Sequence, residues 1–131
     1  MQLDHLGIAV RDLSAATGAW APLVGGPAVA PELVESQGVR VAFLEVGATH
    51  LELLEPVRPE SPVGRFLEQR GEGLHHLAFH VDSVADALRA AEARGQRLID
   101  KVPRPGARGR RVGFVHPSGF HGVLVEFVEG P

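Results

Sequence analysis

At 131 residues, with 44% hydrophobic and 22% charged residues, the chain has the size and composition of one compact domain with a core of its own. A formal charge of −3, with arginines scattered among glutamates, and only 5% aromatic residues exclude a basic, base-stacking face, so nucleic acid is not expected as a partner. No apolar run approaches the roughly 20 residues needed to cross a bilayer, and Met1-Gln2-Leu3-Asp4 lacks a basic segment leading into an apolar one, so a soluble cytoplasmic protein without a membrane partner is expected.

Residues 3 to 10 alternate as a strand, with Leu3, His5, Gly7 and Ala9 on one face and Asp4, Leu6, Ile8 and Val10 on the other. Asp12 is placed to cap a helix through Ala15, Ala16, Trp20 and Leu23, which Gly25-Gly26 ends. Leu33 to Ser36, Val39 to Val46 and His50 to Glu55 then read as strands, with turns at Gln37-Gly38 and Gly47-Ala48. Ser61-Pro62, a cap followed by a first-turn proline, opens a short helix over Val63 to Gln69. After Gly71-Glu72-Gly73, His75 to Val81 is again a strand. Asp82-Ser83 caps a helix with Val84, Leu88 and Ala91 on one stripe, and Gly95 stops it. Arg97 to Ile99, Arg111 to Val115 and Gly122 to Val128 read as three further strands, and Val102 to Arg110, rich in proline and glycine, as a flexible loop.

The order βαβββ thus occurs twice, which predicts an α+β fold in one domain, residues 1–131. Module one covers about 1–56, a connector 57–73, and module two about 74–131. The expected arrangement is pseudo-twofold, with two curved mixed sheets forming a metal-binding concavity.

The duplication carries chemistry. Each half opens with a His-led strand and closes with a glutamate inside an apolar strand: His5 and Glu52 lie 47 positions apart, His76 and Glu126 lie 50 apart. The chain has no cysteine, so disulfides, thiolate nucleophiles and cysteine-held zinc are excluded and any metal must be held by histidine and carboxylate. A carboxylate in Leu51-Glu52-Leu53-Leu54 or Leu124-Val125-Glu126-Phe127 either lies on a solvated face or meets a cation inside. Two imidazoles and two carboxylates suit Co, Ni, Mn, Zn or Fe(II) and leave positions for water or a substrate oxygen. The metal expected is a divalent ion of that group. Glu55 and Glu129, at strand ends, are assigned to solvent. His75 points away from His76. His80 shares the face of His76 and can line a pocket; His116 and His121 belong to a turn. The run from Arg104 to Arg111, including Arg108, is a solvated loop or a contact for an anionic substrate.

Over nearly its whole length the chain resembles the methylmalonyl-CoA epimerases of the vicinal-oxygen-chelate, or glyoxalase, superfamily. The resemblance rests on Asp4 to Val10, Gln37 to Phe43, Leu51 to Pro56, Ser61-Pro62, Phe66-Leu67, Gly71 to Phe79, Pro103 to Ala107, and His116-Pro117 with Gly122 to Glu126. It implies paired modules, a divalent metal held by His5, Glu52, His76 and Glu126, a homodimer and an acyl-CoA substrate. The implied reaction interconverts (R)- and (S)-methylmalonyl-CoA through an enediolate, with a base on one face of the carbon and an acid on the other. Glu126 is the first choice for one of these duties. Some related epimerases carry a glutamate where this chain has Val41, which cannot transfer a proton, so Glu52 or a water is considered for the other. Phe120 and His121 depart from the family pattern before the last strand and bear on the acyl pocket. Arg104, Arg108, His80 and Phe120 are the candidate substrate contacts. The alternatives are a lactoylglutathione lyase (glyoxalase I) using the same logic, and a metal-free small-molecule-binding resistance protein of the same fold.

Overall fold

Eleven elements follow one another in a computed structural model that describes residues 1–131. In chain order they are β1 (Gln2–Ala9), α1 (Leu13–Val24), β2 (Glu32–Val34), β3 (Val39–Val46), β4 (Thr49–Pro56), α2 (Pro62–Arg70), β5 (Gly73–His80), α3 (Val84–Ala93), β6 (Arg104–Pro105), β7 (Arg111–Val115) and β8 (Leu124–Glu129). The first four strands in space run in the order β2-β3-β4-β1 and the other four in the order β5-β8-β7-β6. The fold is α+β with βαβββ repeated, as the sequence indicates. The chain divides into two compact units, His5–His75 and Met1–Asp4 with His76–Pro131.

In the unit His5–His75, β1 runs parallel to β4, and β3 pairs antiparallel with β4 across the tight turn at Gly47. Strand alternation sends Ile8, Val10, Ala42, Leu44 and Leu53 to one side, where they pack with Leu13, Ala16 and Trp20 of α1. Asp12 caps α1 by accepting the Ala15 N–H, and Gly25 ends it in the left-handed conformation, φ 84°. Pro22 is accommodated in the last turn of that helix. Ser61 caps α2 by accepting the Gly64 N–H. The opposite face of the strands is left for His5, Glu52, Val41 and Phe43.

The other unit repeats this layout. β5 runs parallel to β8 and β7 antiparallel to it. Val115, Val125 and Phe127 pack with Val84, Leu88 and Ala91 of α3, whose cap is Ser83 accepting the Asp86 N–H. Gly113 permits the close approach of that helix, since a Cβ there would lie 2.7 Å from Leu88 Cδ1. The face away from α3 carries His76, Ala78, Val112, Phe114 and Glu126.

Four expectations change. Arg97 to Ile99 is not a strand of the sheet: Leu98 makes an isolated bridge to Val115, and the Ile99 and Asp100 N–H groups both donate to the Phe114 carbonyl, which bulges the segment off the ladder. The first of the three strands after α3 is instead β6, inside the stretch expected to be a flexible loop. That stretch is closed by hydrogen bonds between Gly106 N and Arg110 O (2.8 Å) and between Arg110 N and Ala107 O (3.2 Å), and Arg110 is buried against Asp4. The strand expected to reach Ser36 stops at Val34, where a 3-10 turn over Glu35–Gln37 leads into a left-handed Gly38. Glu55 and Glu129 are not solvated strand ends. Three residues beyond Glu52 and Glu126, they point to the helix side, where Glu55 Oε2 accepts the Leu13 N–H at 2.9 Å and Glu129 Oε1 accepts the Val84 N–H at 2.7 Å.

Candidate active site

The sheet register brings each predicted donor to its partner. In β1 and β4, His5 stands beside His50 and Gly7 beside Glu52, so the His5 ring reaches diagonally to the carboxylate, with Nε2 3.2 Å from Glu52 Oε1. In β5 and β8, His76 stands beside Leu124 and Ala78 beside Glu126, and His76 Nε2 lies 2.9 Å from Glu126 Oε1. In both cases the strand residue directly beside the glutamate is small. The two pairs therefore share one construction, strand for strand, although few residues of the two halves are identical.

All four donors are buried, at 2% exposure for His5, 5% for Glu52, 3% for His76 and 3% for Glu126. A buried carboxylate is costly without a cation or a hydrogen bond. Here each has an imidazole, a group that carries either the proton bound between them or, once deprotonated, a lone pair for a metal.

An aromatic ring completes each pair, a feature the sequence reading missed. Phe43 is the β3 neighbour of Glu52 and meets the His5 ring edge to face at 5.8 Å and 88°. Phe114 is the β7 neighbour of Glu126 and meets the His76 ring at 5.8 Å and 86°. For Phe43 the signal was present: a two-residue turn at Gly47-Ala48 fixes the hairpin register and sets Phe43 opposite Glu52. For Phe114 it was not, because the connection from β7 to β8 runs through a 3-10 turn, Pro117–Phe120, and a left-handed His121.

The remaining candidates are placed as follows. The Arg104 guanidinium lies 5.2 Å from the centre of the Phe114 ring, with Nε 3.3 Å from Asp100 Oδ2. Arg108 is exposed and holds φ 59° in the 3-10 turn Ala107–Gly109. His80 lies on the His76 face, and its Nε2 is 3.0 Å from the Gly130 carbonyl. Phe120 packs on the α3 side against the cluster of Val84, Leu88 and Val115. His75 turns away from His76 and packs on Phe66 at 4.9 Å, as strand alternation requires. His116 Nδ1 accepts the Ser118 N–H and so belongs to the turn. No helix is long and apolar enough to cross a membrane.

Residues 4–114 match the model of the Glyoxalase/Bleomycin resistance protein/Dioxygenase superfamily. Over 128 residues the chain is 42% identical to an uncharacterized protein, YqjC, of Bacillus subtilis, covering 98% of this chain and 91% of that protein. It is 36% identical over 127 residues to the ethylmalonyl-CoA/methylmalonyl-CoA epimerase of Cereibacter sphaeroides, with 95% of each chain covered. Among solved structures it superposes on a variant of the Streptomyces coelicolor methylmalonyl-CoA epimerase in complex with 2-nitronate-propionyl-CoA, with a TM-score of 0.94, 39% identity, and coverage of 99% of this chain and 94% of that one. The resemblance read from the motifs is thereby borne out: the chain belongs to the glyoxalase/bleomycin resistance protein/dioxygenase superfamily, and its named relatives there include methylmalonyl-CoA epimerases matched over nearly their full length.

Proposed function

We propose that the protein is a metal-dependent methylmalonyl-CoA epimerase in which His5, Glu52, His76 and Glu126 hold one divalent ion. The observation that carries this reading is the duplicated buried His–Glu pair, at 3.2 Å and 2.9 Å, in a chain whose relatives bear that name at 36% to 39% identity. The donor set fits such an ion: two neutral imidazoles and two carboxylates balance a divalent charge with nitrogen and oxygen ligands. The ion can be Co, Ni, Mn or Zn. When bound, it supplies Lewis-acid stabilisation of the charge that builds on the acyl oxygens as the α-proton leaves.

The chain's own residues supply the rest. Glu126 is assigned to proton transfer on one face of the substrate carbon, since a carboxylate has a second oxygen with which to take a proton. Glu52 is assigned to the other face. Val41 lies on the same strand face as Glu52 and is 1% exposed, but has no proton to give, so the second duty falls to the carboxylate on that face. Arg104 and Arg108 are assigned to the anionic groups of an acyl-CoA and His80 to the acyl end of the pocket, whereas Phe120, packed on the α3 side of the sheet, is not retained as a substrate contact. A cytoplasmic homodimer belongs to the same reading.

The test is incubation of metal-loaded protein with (R)- or (S)-methylmalonyl-CoA in deuterated water. Deuterium is expected at the α-carbon together with formation of the opposite isomer. Absence of both, with bound metal confirmed by elemental analysis, sinks the epimerase; activity on the hemithioacetal of glutathione and methylglyoxal then favours the lyase.

A further inference from the structure

We infer that His50 is a substrate-contacting residue, whose Nδ1 hydrogen-bonds an oxygen of the acyl substrate. The inference rests on the epimerase reading above for the identity of that substrate. Three observations within the unit His5–His75 lead to it. His50 is the strand neighbour of His5 and sits two residues before Glu52 in β4, so all three side chains stand on one face. Its ring meets Phe43 edge to face at 6.2 Å and 86°, so Phe43 braces His50 as well as His5. Its Nδ1 is buried and has no hydrogen-bond partner.

A buried polar atom left unpaired costs roughly 1–3 kcal/mol. Such an atom in a native structure calls for an explanation, and a ligand that completes it is one. The second half of the repeat makes the contrast: the residue in the equivalent register position, beside His76, is Leu124, so nothing in the duplicated scaffold demands an imidazole there. The charge balance supplies a reason. Two glutamates neutralise a divalent ion, so the ion site offers a substrate carboxylate little net attraction, and an imidazole N–H donor on the same face compensates.

The experiment compares the wild-type protein with His50→Phe, which keeps an aromatic ring beside Phe43, and His50→Asn, whose amide nitrogen can take the place of Nδ1. Metal affinity, thermal unfolding, methylmalonyl-CoA binding by calorimetry, and kcat and KM are measured for each. For His50→Phe, metal affinity within about twofold of wild type is expected, with acyl-CoA affinity and kcat/KM reduced roughly 10- to 100-fold, mainly through KM. For His50→Asn, both are expected within about threefold of wild type. Wild-type acyl-CoA affinity in a folded, metal-competent His50→Phe protein overturns the inference. So does loss of metal binding in that variant, which would make His50 a group acting on the ion, or a His50→Asn protein no better than His50→Phe. Wild-type protein that binds methylmalonyl-CoA without epimerising it refutes the epimerase reading alone, because the affinity ratio still decides His50. Wild-type protein that does not bind the acyl-CoA overturns both.

Discussion

The Leu13 backbone N–H donates to the Glu55 carboxylate at 2.9 Å, tying the first residue of α1 to the end of the strand that carries Glu52. The repeat reproduces it, with the Val84 N–H of α3 donating to Glu129 at 2.7 Å beyond Glu126. Two glutamates three residues apart on one strand point to opposite faces, one to the donor site and one to a helix start, where a carboxylate also complements the macrodipole.

From this it follows that Glu55→Ala and Glu129→Ala each weaken a helix start. A loss of about 1 kcal/mol per substitution is expected, read as a fall in Tm of roughly 3–5 °C. Metal stoichiometry should not change. Thermal melts with parallel metal analysis check it; an unchanged Tm would mean water replaces the carboxylate at no cost.

Phe43 and Phe114 touch the imidazoles of His5 and His76 without offering a donor atom. Phe43→Ala and Phe114→Ala are expected to free the rings of His5 and His76, weakening metal affinity roughly 10- to 100-fold, as is typical for groups that orient ligands. Titration with Co or Zn would show it. Leucine at either position should recover part of the packing but not the edge-to-face orientation.

Glu126→Gln and Glu52→Gln separate holding a metal from moving a proton, because an amide oxygen still ligates but takes no proton. Each variant is expected to retain an ion with weakened affinity and to lose solvent exchange from one isomer of methylmalonyl-CoA by roughly 10²- to 10⁴-fold. The two should fail on opposite isomers. Starting the deuterium assay from each isomer separately distinguishes them, and full exchange in Glu126→Gln would remove its assigned duty.

Arg110 and Asp4 form a two-pronged ion pair at 2.8 Å and 2.8 Å, with side-chain exposures of 4% and 12%. Arg110→Met takes the guanidinium from a largely buried carboxylate and is expected to cost about 3–5 kcal/mol. Asp4→Leu combined with Arg110→Met should recover much of that. Urea midpoints at constant m report the difference.

Addition of a divalent ion to metal-free protein is expected to raise its stability by about 2.7 kcal/mol when the ion is at roughly 100 times its Kd. Calorimetric scans before and after chelation measure this. A Tm indifferent to every ion tried would point to the metal-free binding protein instead.

The element order, the caps at Asp12, Ser61 and Ser83, and the faces of the strands were legible in the sequence, because 2-residue and 3.6-residue periodicity and capping chemistry act over a few neighbours. The two buried His–Glu pairs were legible for a related reason: a polar residue inside an apolar strand has few explanations, and the repeat offered each one twice. Beyond the tight Gly47-Ala48 hairpin, which by itself sets Phe43 opposite Glu52, local pattern could not say what stands next to a residue across the sheet. The ring of Phe114, the Glu55 and Glu129 caps, the bulge at Ile99, and the Arg110–Asp4 pair join residues up to 106 positions apart. Only strand pairing and register decide which side chains meet, so these features belong to the tertiary structure.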